Sequence, residues 1–413
     1  MFIMKIAFKN LTRHRKRTLI TASIIASAIL VFLLMDSILI GLNNASYDNI
    51  INYSTSEIQV VKSDYWENRE DLTLNNLITE NQNFIKELNN NSSIEGVNKK
   101  LIFQARLNNG IDELPIKAVA LEGESIENTL DLKDSIIEGR FFTKGEYKAV
   151  LGKPLTELLN LEYKDYITLL FRTKEDTFNT VELEIGGILQ SPNPDVNQNN
   201  VYLPLEIAQN ALNLDNEFSH LLVKTTNISH VNKIAADLKD NIPLNQKNDF
   251  NIIPWNELTA VSVMNSKQGA NKVILGIILL LAAIGIINTV ILAALERMEE
   301  IGMMKAMGMK RKEIIYSFVL ESTGLGIIGG VIGCLLGAVV VFLISTFGID
   351  FTALYQIDMG DFGIPIVDKV YGAWNFNSFI FVFIFSVIVS MTASVFPAYW
   401  AAKKNPVDAI HHR

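Results

Sequence analysis

Four long apolar segments dominate the pattern of this chain. They cover Leu19–Leu42, Val273–Leu295, Thr323–Phe347 and Phe376–Trp400, and Asp36 is the one charged residue among them. About 20 apolar residues in a helix are enough to cross the hydrocarbon core of a bilayer. The pattern therefore predicts four membrane-spanning helices. The stretch Asn44–Ala270 contains no comparable run, which predicts a folded domain outside the membrane.

That stretch mixes two kinds of periodicity. Alternating or β-branched runs predict strands at Glu57–Val61, Ile116–Leu121, Ala149–Leu151, Tyr166–Phe171, Val181–Leu189, Val201–Leu203 and His220–Lys224. Apolar residues at helical spacing predict helices at Leu74–Leu88, Leu155–Leu161, Leu205–Leu214 and Val231–Asn241. The predicted fold class is thus an α-helical membrane protein with four transmembrane helices plus a large mixed α+β extracytoplasmic domain. Its size predicts two lobes, because single cores stop growing near this length.

Charge assigns the sides of the membrane. Of 413 residues, 36 are Lys or Arg and 44 are Asp or Glu. The outer stretch carries 33 acidic and 20 basic residues, net −13, and the remainder of the chain sums to +5. Basic clusters lie at Arg13–Arg17, in Glu296–Lys312 and at Lys403–Lys404. Because cytoplasmic loops are enriched in Lys and Arg, both termini and the 296–312 segment are predicted to be cytoplasmic.

These signals divide the chain into nine segments, with the N-terminal one predicted to contain an interfacial amphipathic helix. The predicted segments are an N-terminal helix and basic cluster (1–18), the first span (19–43), the outer domain (44–270), the second span (271–295), a cytoplasmic segment (296–313), the third span (314–347), an outer loop (348–375), the fourth span (376–400) and a cytoplasmic tail (401–413).

Signatures of catalysis are missing from the sequence. There is no phosphate-binding G-x-x-x-x-G-K-[ST] loop, and neither HExxH nor CxxC supplies a metal site. His220 and His230 stand alone, and the single Cys334 cannot form an intrachain disulfide. Helix length places Asp36 near the membrane–water interface on the far side from the N-terminus, where contact with water is expected. We therefore expect no enzyme activity, no metal, no bound cofactor and no nucleic-acid partner.

Small residues recur in the third apolar segment. Glycines at four-residue spacing allow helices to approach closely in a bilayer. This spacing predicts helix packing through Gly326, Gly329, Gly330, Gly333 and Gly337.

The segment Glu296–Gly308 reads E-R-M-E-E-I-G-M-M-K-A-M-G. It resembles the E-R-x-x-E-I-G-x-x-[KR]-A-[LIM]-G signature of FtsX/MacB-type ABC transporter permeases. Further similarities to this family lie in Phe8–Leu11 with Arg13–Arg17, in Glu321 with its downstream glycines, in the outer-domain phrase Val150–Leu155, and in the closing stretch Val395–Ile410. The resemblance thus extends over nearly the whole chain and implies a MacB-like periplasmic core in the outer domain.

The resemblance implies a permease that transmits mechanical work. Such proteins pair with a second permease subunit, as a homo- or heterodimer, and recruit a dimer of a separate ABC ATPase that binds ATP and Mg. The ATPase-coupling residues would be Arg297, Glu299, Glu300, Ile301, Gly302, Met303, Met304, Lys305, Ala306, Met307 and Gly308. The alternative is that the apolar members of this set pack against neighbouring helices.

Ser56–Val60 with Asp64–Trp66 resembles the corresponding phrase of the lipoprotein-releasing LolC/LolE-like group. This implies lipoprotein release from the bacterial inner membrane, with a possible periplasmic acceptor. Alternatives are export of another hydrophobic or peptide cargo, or an FtsX-like regulator of cell-wall hydrolases that transports nothing. A lipid or cargo cavity would be lined by Leu30, Leu34, Ile38, Leu42, Val273, Ile277 and Leu281.

Overall fold

The structure, a computed structural model, describes residues 11, 13, 15–79, 85, 88, 91–241, 249–296, 298–350 and 369–403. The chain forms two compact units. One contains the membrane helices, and the other is the outer domain, which begins at Asn44 and runs to Asn265. The predicted N-terminal amphipathic helix, Arg297, most of the 348–375 loop and the tail beyond Lys403 lie outside the described residues.

The described helices are numbered in chain order. They are α1 (Arg15–Ile50), α2 (Ser63–Glu67), α3 (Lys153–Leu158), α4 (Pro194–Gln198), α5 (Leu205–Leu212), α6 (Val231–Asn241), α7 (Thr259–Leu295), α8 (Met298–Ala306), α9 (Arg311–Phe347) and α10 (Phe376–Lys403). Helices α1, α7, α9 and α10 are long and apolar enough to cross a membrane. This confirms the predicted class of a four-helix membrane protein with a large outer domain.

Two membrane helices continue beyond their apolar segments. Helix α1 continues to Ile50, beyond the predicted first span (19–43), and α7 begins at Thr259, ahead of the predicted second span (271–295). Hydropathy marks only the portion of a helix that needs a lipid environment. A helix backbone satisfies its own hydrogen bonds, so it can continue into water through polar residues.

The described strands belong to the outer domain. They are β1 (Ile58–Lys62), β2 (Ile78–Thr79), β3 (Ile94–Asn108), β4 (Glu113–Leu121), β5 (Ile136–Gly139), β6 (Lys148–Gly152), β7 (Tyr166–Arg172), β8 (Phe178–Leu189), β9 (Asn200–Pro204), β10 (Glu217–Phe218), β11 (His220–Thr225) and β12 (Phe250–Pro254).

Six of these strands close into a barrel. Neighbours follow the order β3–β4–β9–β6–β8–β7, and β7 pairs back onto β3 through Arg106 and Leu170. The β4–β9 and β6–β8 pairs are parallel, and the other pairs in the ring are antiparallel. Closure removes exposed strand edges. Alternate residues of β3 contribute to the apolar core: Leu101, Phe103, Ala105 and Leu107.

A second lobe extends from the first half of β3. There β11 pairs with β3, β1 with β11, and β12 with β1, all antiparallel. Helix α6 contributes Val231, Ile234 and Leu238 to a separate apolar core that includes Ile58 and Val223. Strand β3 is therefore shared by both lobes.

Local periodicity failed at several places in the outer domain, and the strands β5 and β12 were not predicted. The predicted helix Leu74–Leu88 is wrong over its first residues, because Ile78 and Thr79 form a strand paired with Phe218 and Glu217. The longest strand, β3, was not predicted. Its buried positions include the polar residues Asn98 and Lys100, which obscure the alternation.

Candidate functional site

The motif segment folds as the short helix α8 between α7 and α9. Gly308 ends it with φ of +93°, a conformation that glycine adopts without steric cost. The Gly308 N–H donates to Lys305 O at 3.0 Å, and the Met309 N–H donates to Met304 O at 3.1 Å. These bonds satisfy carbonyls at the helix end, as expected for a glycine C-terminal cap.

One face of α8 is buried against the membrane helices. Ile301 is 1% exposed and joins a cluster formed by Ile314 and Phe318 of α9 and by three alanines of α10. The alanines are Ala398, Ala401 and Ala402. Gly302 is also buried, and Met304 is half-buried against the same cluster. Small side chains on α10 thus let α8 approach closely.

Lys305 fastens α8 to the end of α10. Its Nζ donates to the main-chain oxygen of Ala402 at 3.0 Å. The last four carbonyls of a helix have no partners within the helix, and a cation is favourable at its negative end. Lys305 therefore acts as a C-terminal cap supplied by another helix.

The opposite face of α8 and the turn that follows Ala306 are exposed. Met303 is 52% exposed and Met307 is 78% exposed, and Ala306 and Gly308 are exposed as well. Glu300 is half-buried. Side chains at residues 297–299, which include the predicted Arg297 and Glu299, lie outside the described residues.

The structure separates the predicted coupling residues into two groups. Ile301 was expected to supply an outward docking contact, but it packs inside the chain, which is the alternative left open by the sequence. The reason is that α8 lies on α9 and α10 with this face inward. The large apolar members of the set that remain exposed are Met303 and Met307.

The predicted packing glycines lie on two different faces of α9. A Cβ on Gly326 would lie 2.9 Å from Ser390 Oγ, and one on Gly330 would lie 2.8 Å from the Phe383 ring, both on α10. The remaining glycines face α1: a Cβ at Gly329, Gly333 or Gly337 would lie 2.7, 2.8 and 2.5 Å from Ile25, Ile29 and Leu33, respectively. Close approach of α9 to both helices thus depends on missing side chains.

The predicted cavity residues differ in their exposure. Val273, Ile277 and Leu281 on α7 are more than half exposed, whereas Leu30, Leu34, Ile38 and Leu42 on α1 are half-buried. The other face of α7 packs into the membrane unit through Ile286 and Val290. Within a single chain, the first group therefore forms an open apolar face.

Asp36 was expected to be in contact with water, but its side chain is buried. It is 6% exposed, and Asn375 Nδ2 donates to Asp36 Oδ2 at 3.2 Å. Asn375 immediately precedes α10, where the positive end of the helix favours a carboxylate. Sequence reasoning missed this contact between α1 and the start of α10. The available signal was an Asn-x-x-Ser pattern, Asn375 and Ser378, opening an apolar helix.

His220 of the outer domain contacts neighbouring side chains of the same domain. His220 is buried, its Nδ1 lies 2.8 Å from Ser219 Oγ, and its ring meets that of Tyr65 edge-on. Burial, together with the nearby Lys100 charge, lowers the pKa of His220 to about 3. Among the described residues, no group of three or more His, Cys, Asp or Glu side chains is placed to hold a metal ion.

Two family models match the chain. One, described as FtsX-like permease C-terminal, covers residues 272–406, and the other, described as MacB-like periplasmic core domain, covers residues 18–241. The second covers more than half of the chain. Four membrane helices, a short helix between two of them and an outer α/β domain define an integral membrane protein of the permease class. The chain belongs to the FtsX/MacB-type ABC transporter permeases.

The descriptions of three similar proteins agree with this class. An uncharacterized ABC transporter permease of Methanocaldococcus jannaschii is 23% identical over 99% of this chain and 97% of its own length. A macrolide export ATP-binding/permease protein, MacB, of Campylobacter jejuni is 24% identical over 56% of this chain, and the match spans 34% of that longer protein. The lipoprotein-releasing system transmembrane protein LolC of Xylella fastidiosa is 18% identical over 65% of each chain.

Proposed function

We propose that this chain is the non-catalytic permease subunit of an ABC transporter and that a separate ATPase dimer docks on α8. The exposed Met303 and Met307 support this, because α8 is fixed on its opposite face by Ile301 and Lys305. A rigid helix presenting flexible, polarizable methionines suits a groove on another protein. ATP and Mg would be bound by that ATPase, and the chain itself would hold neither.

The proposed orientation places α8 and both termini in the cytoplasm of a cell whose inner membrane holds the protein. The basic residues of the 296–312 segment support it through the positive-inside rule. The acidic outer domain would then face the extracytoplasmic side.

The proposed cargo is a lipoprotein released from the membrane. The relationship to LolC supports this, as does the open apolar face formed by Val273, Ile277 and Leu281. A second permease subunit would cover that face and complete a cavity with Leu30, Leu34, Ile38 and Leu42. Removing an acyl chain from lipid costs about 0.8 kcal/mol per CH₂, a load suited to ATP hydrolysis.

Export of another hydrophobic or peptide cargo is the second candidate. The MacB relatives, described as macrolide export proteins, support it. Depletion in the native host separates the two candidates. Lipoprotein release predicts that acylated proteins accumulate in the inner membrane after fractionation. Normal lipoprotein sorting with increased sensitivity to hydrophobic toxins would favour export instead.

The docking surface is tested by Met307→Glu. The exposed position makes this change tolerable to the fold, but it places an unpaired charge in an apolar contact. The ATPase should be lost from the purified complex, as measured by mass spectrometry. Met307→Leu, which keeps an apolar side chain, is the matched control and should retain it. Retention by both variants would place the ATPase elsewhere.

A further inference from the structure

The first membrane helix ends inside the outer domain in an unusual type of helical turn. Helix α1 continues directly into a π-helical turn, Ile51–Thr55, before β1 begins. The Ser56 N–H closes this turn by donating to Ile51 O at 2.8 Å. π-Helical turns are rare and frequently occur at functional positions.

Ser56 has a backbone conformation that residues other than glycine rarely adopt. Its φ is 56° and its ψ is −171°, close to a region that is essentially restricted to glycine. The residue is buried, and its Oγ donates to Val223 O on β11 at 3.1 Å. Such conformations persist only where surrounding contacts enforce them.

Lys100 holds the end of the π-helical turn. It lies on β3, is 6% exposed, and its Nζ donates to Ser54 O at 2.7 Å. The free carbonyls at the end of a helix carry partial negative charge, which offsets part of the cost of burying the ammonium group. Burial lowers the pKa of Lys100 to about 8, with a further contribution from the charge of Lys117.

Two more contacts hold the same segment. The Asp131 N–H donates to Asn52 O at 2.8 Å. The Tyr47 ring, one turn before the end of α1, lies 5.5 Å from the Trp255 ring. The end of the helix is therefore held on several sides within the outer domain.

The contact of Lys100 bears on the whole outer domain, because Lys100 lies on β3 and both lobes share this strand. Its first half pairs with β11, and its second half belongs to the barrel. Any displacement of Ser54 that Lys100 passes on to β3 would reach both apolar cores together.

We propose that Lys100 is a positioning residue that clamps the end of the first membrane helix to β3, so that movement of this helix displaces both lobes as one body. The proposal rests on the proposed function, in which ATPase work reaches the outer domain. A buried lysine of purely structural importance would affect folding, whereas a clamp controls the distance between helix and domain.

The test measures that distance in the full-length chain, purified in nanodiscs with the ATPase that accompanies it. Spin labels are placed on the exposed positions Asp48→Cys of α1 and Ile111→Cys of the β3–β4 hairpin, in a Cys334→Ser background. We expect a narrow distance distribution that is the same without nucleotide and after trapping with ATP and vanadate. A distribution that shifts on trapping in the unsubstituted chain would overturn the proposal.

Lys100→Met is one atom shorter along the side chain and removes the donor. We expect at least a twofold broadening of the distribution, with ATPase binding and hydrolysis unchanged. The matched control is Lys117→Met on the adjacent strand β4, an exposed lysine paired with Asp195, which should leave the distribution narrow. An unchanged distribution in Lys100→Met would overturn the clamp.

Ser56→Gly covers the case in which Lys100→Met does not fold. Glycine accepts the backbone conformation and removes the bond to Val223, but the bond from Lys100 to Ser54 remains. We therefore expect the distribution to stay narrow at near-native thermal stability. A broadened distribution would mean that Ser56, and not Lys100, holds the end of the helix, which would overturn the proposal. The nucleotide-free measurement needs no ATPase, so failure of the clamp is distinguishable from failure of the proposed function.

Discussion

Arg17 at the start of α1 and Glu321 in α9 form an ion pair, with Nη2 and Oε1 separated by 2.9 Å. The arginine side chain is 18% exposed and the glutamate 6%. The pair joins the first and third membrane helices near the ends that carry their basic residues. Because the two side chains are buried to different extents, we expect the loss of stability to depend on which partner is removed.

Removal of Arg17 should destabilise the membrane unit more than removal of Glu321. Arg17→Gln leaves a carboxylate buried without this partner, for which about 3 kcal/mol is expected. Glu321→Gln leaves a guanidinium that can reach water, and we expect about half that loss. Denaturant unfolding in detergent micelles measures both, and a double-mutant cycle isolates the coupling. The reverse order would show that the burial of Glu321 is not what governs the pair.

Gly333→Leu should disrupt the packing of α9 on α1. Its side chain would meet Ile29 and the backbone of Ala26, and overpacking of this kind costs about 1–3 kcal/mol. Gly285 on α7 is the matched control, because nothing lies within 4 Å of a Cβ there. Gly285→Ala should be neutral or stabilising by about 0.5–1 kcal/mol. Thermal unfolding followed by circular dichroism measures both, and equal losses would contradict the assigned faces.

Ile301→Ala should destabilise the chain by about 2–4 kcal/mol, because it empties a buried position beside Phe318 and Ala398. Met307→Ala, in the exposed turn directly after the same helix, should change stability by less than about 0.5 kcal/mol. Chemical denaturation of the purified chain distinguishes them. Similar effects of the two substitutions would mean that α8 is not held on α9 and α10.

His220 should make the outer domain sensitive to acid. Its pKa is about 3 in the fold, below the ordinary value of 6.5, so the unfolded chain takes up a proton first as the pH falls. The contribution to stability is complete above pH 6.5 and is lost towards pH 3, at about 1.4 kcal/mol per pH unit. Between pH 6.5 and pH 5, the chain should thus lose about 2 kcal/mol more than His220→Gln.

Hydrogen exchange in peptides from β3 and β11, measured at both pH values, follows this loss locally. His230→Gln provides the control, since it makes the same substitution at an exposed histidine of the same domain. If His220→Gln retained the full acid sensitivity, carboxylates would be its source.

The sequence by itself determined the four membrane helices, the outer domain between the first two, and the motif that placed the chain in its family. These features are local: a bilayer requires about 20 apolar residues in succession, and every such segment must satisfy its own backbone. Most outer strands were equally visible, since Val181–Leu189 and His220–Lys224 carry their own β-branched or apolar pattern.

Only the tertiary structure decided the roles of residues whose partners are distant in the chain. Asp36 is buried because Asn375 lies beside it, 339 residues later. Lys100 can be buried in β3 because Ser54 offers it a helix-end carbonyl. Ile301 and Met303 look alike as apolar residues of one motif, yet α9 and α10 cover the first and leave the second exposed. A free energy of burial depends on what surrounds a side chain after folding, which no local pattern contains.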